Sequence, residues 1–240
     1  MVDLNMFIKF RKLVFTTVLF SLAGLALAED PELCEPFMDG RVDESLLSSM
    51  LSAAEGGHLY RIKPGSSEVG FCVDSKLRRI EGSFRDFRGG MTLGPGEPNN
   101  GQTMVLIRAD SLQAEGALVN SILKSDNFFA VEQYPDVLFI SSGFRWTGPG
   151  TAVLRGDLTL RGITRPITFN VTLTPVATDD AGEAGLIEVR ATATIDRANF
   201  GMDSLDSVVD GDVQLCMKVE AQKYESIGFS GPNRSSSTSS

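Results

Sequence analysis

The chain has 240 residues, 42% apolar and 22% charged, with 22 basic against 31 acidic side chains for a net charge of −9. That composition is globular rather than disordered or fibrous, and the sign of the charge works against phosphate backbones, so nucleic acid is not an expected partner. With a single histidine, His58, a zinc site built on several imidazoles is excluded, and no catalytic residue, metal-binding set or cofactor can be named.

Lys9, Arg11 and Lys12 precede an apolar run at 13–27 that ends in Ala26-Leu27-Ala28, the small-x-small pattern read by signal peptidase. The run is short of the roughly 20 apolar residues a membrane span needs, and acidic residues follow it at once. Residues 1–28 are therefore expected to be a cleaved signal peptide, which makes the chain exported and gives it no stable membrane span. Met6 is a second candidate start, because it drops Asp3 from the basic end. Residues 29–57 read as an acidic leader with one short helix. Asp43 caps it, Leu46, Leu47, Met50, Leu51 and Ala54 form its apolar stripe, and Gly56-Gly57 stop it. The stripe is expected to pack on the main domain.

After His58 the hydrophobic period changes from 3.6 to 2, and residues 58–225 are expected to form one domain. Strands are expected near 60–62, 69–73, 80–93 with an interruption at Gly89-Gly90, 104–109, 137–146, 151–161, 167–173, 187–195 and 213–219. In the clearest of them Phe169 and Val171 alternate with Thr168 and Asn170, and Val189, Ala191 and Ala193 with Arg190, Thr192 and Thr194. Turn signals separate them at Gly94-Pro95-Gly96 with Asn99-Asn100-Gly101, at Thr147-Gly148-Pro149-Gly150 and at Asp179-Asp180-Ala181-Gly182. Alternation disappears at 112–134, where Leu118, Ile122 and Leu123 suggest a short helix followed by Phe128-Phe129. Residues 226–240, serine-rich at the end, read as a disordered tail.

An all-β antiparallel sandwich or closed barrel fits this pattern, and closure leaves no exposed edge on strands of this length. An outer-membrane barrel is disfavoured. There are 15 phenylalanines against three tyrosines and one tryptophan, and the outward positions carry Arg155, Asp157 and Arg190.

Four stretches occur in an order that resembles the YceI-like family. They are Gly82-Ser-Phe-Arg-Asp-Phe-Arg-Gly89, Leu123-Lys-Ser-Asp-Asn-Phe-Phe129 with Tyr134-Pro135 and Phe139 behind it, Gly156-Asp-Leu-Thr-Leu-Arg-Gly-Ile-Thr-Arg-Pro-Ile-Thr-Phe169, and Arg197-Ala-Asn-Phe-Gly-Met202. The resemblance runs from about Tyr60 to Ala221. It implies an eight-stranded lipocalin-like antiparallel barrel with a short helical insertion, located in the periplasm and holding an isoprenoid or quinone-like lipid in an apolar channel. One departure stands out. Where many members carry Arg-Asp-x-His-Leu, this chain reads Val119-Asn120-Ser121-Ile122-Leu123, so a charged, histidine-bearing site has become nearly apolar.

With that resemblance, the ligand-lining residues are expected to be Phe71, Phe84, Phe87, Phe128, Phe139, Leu158, Phe169, Val171, Val189, Ala191 and Phe200. Each also has a plain core reading. Phe84 and Phe87 have opposite parity, so both face inward only if the strand is broken or bulged between them. Segment 112–129 is expected at the tunnel mouth, where Asp126 and Asn127, or Arg161 and Arg165, stand as candidates for a polar head group beside their local or solvated roles. His58 reads as a surface residue. Cys72 and Cys216 lie on the outward phase of the first and last long strands, which are neighbours in an up-and-down barrel; a disulfide between them is expected, with Cys34 spare. The preferred function is binding of a long amphipathic isoprenoid, not an enzymatic one. A stress-protective or protein-interaction module with a side-chain-filled barrel is the alternative, and a homodimer is left open.

Overall fold

The structure is a computed structural model that describes residues 44–93, 101–176 and 185–224. The expected signal peptide, most of the acidic leader with Cys34, the turn signals at 94–100 and 179–182 and the tail lie outside the described residues. No helix among the described residues is long and apolar enough to cross a membrane.

The period-2 segments form eleven strands: β1 (Leu59–Ile62), β2 (Glu68–Ser75), β3 (Ile80–Phe84), β4 (Phe87–Thr92), β5 (Thr103–Arg108), β6 (Leu112–Ala114), β7 (Asp136–Gly148), β8 (Thr151–Leu160), β9 (Ile163–Pro175), β10 (Leu186–Asp196) and β11 (Val209–Lys223). All pairings are antiparallel. The order β1-β4-β5-β7-β8-β9-β10-β11 closes on itself through β1–β11, giving an eight-stranded barrel, while β2, β3 and β6 continue from the other end of β11. Three of the barrel's strands are thus bent pairs, β1 with β2, β4 with β3 and β5 with β6.

The alternation predicts the facing. Phe169, Val171, Val189, Ala191 and Ala193 are buried, whereas Thr168, Asn170, Thr192 and Thr194 are exposed. Register lines the apolar phases into a continuous inward row, Ala152 opposite Val171, Val171 opposite Ala191, Ala191 opposite Met217, Met217 opposite Val69 and Val69 opposite Phe84. Such cross-strand neighbours are the unit by which a sheet packs its core.

The break in the 80–93 segment is not at Gly89-Gly90. It falls at Arg85-Asp86, whose amides donate to Ser111 Oγ at 3.2 and 3.0 Å, so that Phe84 and Phe87 are both buried despite their opposite parity. Gly89 lies inside β4 because β5 runs against it: a Cβ there would sit 2.4 Å from the Met104 carbonyl oxygen. The pairing of β6 with β3 carried no alternation signal, being only three residues long.

Helix α1 (Glu44–Glu55) lies outside the barrel, where Met50 packs with Met104 and the partly buried Leu59, Leu138 and Ile140 on the outer phase of the sheet. This is the docking that its apolar stripe predicts, although Leu51 remains exposed. Helix α2 (Ala117–Lys124) follows β6 and buries Leu123. His58 is half-buried at the head of β1, its carbonyl accepting from the Leu93 amide at 3.0 Å.

Candidate functional site

The barrel interior is not uniform. In one half the side chains meet and fill it; in the half that carries β2, β3, β6 and α2 they leave an apolar cavity of about 190 Å³. By the measure in which one water needs roughly 10–15 Å³, this space is far larger than a packing defect. Arg197 supplies the only polar side chain among its lining residues, Gly70 aside.

Phe71, Phe84 and Phe129 pack around one another in the wall, with ring centroids 5.4 to 6.1 Å apart. This arrangement needs Gly82, which stands opposite Phe71 and makes room for its ring. Phe139 lines the cavity from β7 and meets Phe169 edge to face at 5.2 Å, so Phe169 lies behind it in the packed half.

Of the residues that sequence reasoning assigned to the ligand, Phe71, Phe84, Phe128, Phe139 and Leu158 line this cavity. Phe87, Phe169, Val171, Val189, Ala191 and Phe200 do not; they are buried core. A tunnel through the whole barrel is therefore replaced by a cavity at one end. Leu160, Val213 and Leu215 share the inward phase of residues that were named and could have been found from it. Met202 and Leu205 lie in the segment after β10, and Val209 at the very start of β11, where no periodicity points to them. Two of the positions at which this chain departs from the Arg-Asp-x-His-Leu pattern, Val119 and Ile122, line the cavity, beside Leu123, which keeps the pattern's leucine. Asn120 instead turns to the sheet and accepts from the Ala114 amide at 3.1 Å.

Ile122 and Leu205 both line the cavity and reach solvent, at 37% and 51% exposure, which puts the mouth between α2 and the loop before β11. Leu118 adds an exposed apolar side chain on the same helix. Two arginines hold this rim. Arg161, in the β8–β9 turn, donates to the Phe128 and Gly201 carbonyls, both at 2.8 Å, tying the segment after α2 to the loop after β10. Arg197 is 4% exposed and has no carboxylate partner among the described residues; its guanidinium donates to the carbonyls of Met202, Ser204, Val209 and Asp210. Both side chains are engaged by backbone rather than presented to a head group. Arg165 donates to the Thr164 carbonyl, and Asp126 and Asn127 are exposed beyond Ser125.

Cys72 and Cys216 face the outside of the barrel on the neighbouring strands β2 and β11, but they are not directly opposed. Cys72 stands opposite Gln214 and Cys216 opposite Gly70, and both are free thiols in the structure. The expected disulfide is not formed in the structure, where the two cysteines make a diagonal pair two residues in register from direct opposition. The Arg79 guanidinium donates to Cys72 Sγ, and its own pKa is raised first by that sulfur and then by Asp74. Among the described residues no cluster of three or more histidine, cysteine or carboxylate side chains could hold a metal ion.

The YceI-like domain profile matches residues 60–221. A UPF0312 protein of Pseudomonas putida strain W619 is 34% identical over 125 residues, covering 51% of this chain and 64% of that relative, so this chain spans under two thirds of the relative's length. Among solved structures, Burkholderia cenocepacia BcnA superposes with a TM-score of 0.61 at 20% identity, covering 67% of this chain and 99% of that one. A polyisoprenoid binding domain from Saccharophagus degradans, implicated in plant cell wall breakdown, gives a TM-score of 0.52 at 14% identity and covers 68% and 98%. At these identities the two likenesses speak for the fold.

Proposed function

The chain belongs to the YceI-like family, and from that premise we propose that it is an exported, periplasmic binding protein that takes the apolar tail of an amphipathic isoprenoid or quinone-like lipid into its barrel. The observation that carries the reading is the enclosed, almost wholly apolar cavity with an apolar mouth at α2. The binding named for the Saccharophagus domain, which shares the fold, supports the same ligand class.

The work of such a site is burial, not catalysis. Each methylene moved from water into the cavity contributes about 0.8 kcal/mol before ordering costs. The cavity is smaller than the roughly 300–1,000 Å³ of ordinary ligand pockets, so it encloses part of a long isoprenoid, and a longer tail requires α2 to move outward. With Val119 and Ile122 where relatives carry Arg and His, the ligand enters tail first and leaves its head in solvent at the mouth rather than on a buried ion.

The filled half of the barrel favours a second reading, a stress-protective or protein-interaction module whose interior is closed by its own side chains. Native mass spectrometry and organic extraction of the purified protein separate the two. A co-purifying isoprenoid, displaced by added polyisoprenol, is the expected result; an empty protein that takes up no polyisoprenol overturns the first reading. Amino-terminal sequencing of the protein recovered from a periplasmic fraction should begin at Glu29, and a retained apolar segment would overturn export by cleavage.

A further inference from the structure

The outer face of the β2–β11 seam carries a constellation that the cavity does not use. Cys216 is exposed, Cys72 is nearly buried beside it, and Gly70, opposite Cys216, places no side chain between them. Cys72 and Cys216 are diagonal neighbours on the same face of β2 and β11, with Gln214 opposite Cys72 and Gly70 opposite Cys216. Arg79 donates to Cys72 Sγ from the other side and is flanked by Asp74 at 3.3 Å and Glu81 at 3.6 Å. Gln214 Oε1 accepts from both Cys72 Sγ and Arg79, at 3.4 and 3.2 Å.

We propose that Cys72 and Cys216 form a thiol–disulfide exchange site that reacts with small disulfides and closes into a reversible bridge across the seam. Access sets the order of steps. The exposed Cys216, as its thiolate after losing a proton to solvent, attacks one sulfur of the incoming disulfide; that S–S bond breaks, and the first small thiolate leaves and takes up a proton. Cys72 then attacks the Cys216 sulfur of the mixed disulfide, expelling the second small thiol. Two protein thiols and one small disulfide thus become one protein disulfide and two small thiols. Arg79 compensates the negative charge on Cys72 sulfur both when it attacks and when it leaves as the bridge is reduced.

The geometry makes the bridge reversible rather than a permanent staple. A diagonal pair on neighbouring antiparallel strands has Cα atoms about 7–8 Å apart, whereas a relaxed disulfide prefers about 5.5–6 Å. Closing it therefore draws the seam inward, and bridges of that kind are the reducible ones. The Cys216 thiol itself is held above the ordinary thiol range, first by partial desolvation and then by the Cys72 sulfur, with Arg79 acting in the opposite sense. The cost is a smaller thiolate fraction, set against a more nucleophilic thiolate.

The test uses the full-length chain with Cys34→Ser in glutathione buffers, followed by alkylation, intact mass and peptide mapping. In excess oxidised glutathione the folded chain should lose both alkylatable thiols and yield a peptide joining Cys72 to Cys216; excess reduced glutathione should restore both. Cys72→Ser should accumulate glutathione on Cys216, while Cys216→Ser should leave Cys72 unmodified over the same time. Arg79 is 46% exposed, so Arg79→Leu should keep the fold yet slow closure of the mixed disulfide about tenfold, the scale of one pKa unit of charge stabilisation. Thiols that stay free in excess oxidised glutathione, a bridge that excess reduced glutathione leaves closed, or a first adduct on Cys72 would each overturn the proposal.

Discussion

Gly82 and Phe71 stand opposite each other across β2 and β3, and a Cβ at position 82 would lie 2.5 Å from two atoms of the Phe71 ring. The ring therefore occupies space that any side chain at 82 would claim. Gly82→Ala should push Phe71 against Phe84 and Phe129, with an overpacking cost of about 1–3 kcal/mol. Denaturant unfolding should show the midpoint fall without a change in slope. A midpoint equal to that of the parent would mean the wall yields more freely than its packing implies.

Arg197 organises the loop before β11 through backbone carbonyls, with no acidic partner among the described residues. Four backbone carbonyls are arranged around one buried guanidinium, and removing it orphans them together, each loss being worth on the order of 1–3 kcal/mol. Arg197→Met should therefore destabilise the domain by at least about 3 kcal/mol. Arg197→Lys should recover little, because an ammonium cannot reproduce the planar fork. Equal stability of the lysine variant and the parent would show that charge alone is what the loop requires.

Arg161 acts at a distance from the core and should behave differently. Its two bonds join the Phe128 and Gly201 carbonyls, so Arg161→Ala should loosen the mouth while leaving the strands intact. Hydrogen exchange is expected to rise by about tenfold or more at 125–131 and around 201, with β8–β10 unchanged, since local openings can run well below the global unfolding free energy. Uniform acceleration across the barrel would place Arg161 in the global fold instead.

Much of this architecture was legible from alternation. Strand facing in β8, β9 and β10 follows directly from residues such as Phe169 and Thr168, because a one-residue slip would turn every core residue outward. The corner at Arg85-Asp86 was legible only as a parity conflict between Phe84 and Phe87; its position depends on Ser111, which is distant in sequence. The glycines at 89 and 90 misled because local propensity cannot distinguish a strand break from a close approach of β5. For the cavity, periodicity identifies inward residues but not how far along the barrel the packing closes. Val171 and Ala191 share their phase with Leu158 yet sit in the filled half. The rim residue Leu205 belongs to a loop organised by Arg197 carbonyl bonds, and no periodic pattern reports such contacts. Cys72 and Cys216 were placed on the correct face and on neighbouring strands, but a two-residue register offset is invisible until the strands are paired.

The difference between the filled and open halves decides where a blocking substitution belongs. At Ala191 a tryptophan would enter the row formed by Val171 and Met217, where the side chain is 5% exposed and lines no cavity. It would cost about 1–3 kcal/mol or more in strain, and any loss of ligand would follow from damage to the barrel. Val119 is half-buried on α2 and lines the cavity beside the mouth. Val119→Trp has open volume ahead of it, and its indole N–H can remain near solvent. This variant should unfold within about 1 kcal/mol of the parent, as replacements that fill space without strain do, while co-purifying isoprenoid falls at least about tenfold, a change of roughly 1.4 kcal/mol in binding. Quantitative lipid extraction beside thermal unfolding reads both quantities from one preparation. Full lipid occupancy in a folded Val119→Trp protein would remove the cavity at α2 as the binding site.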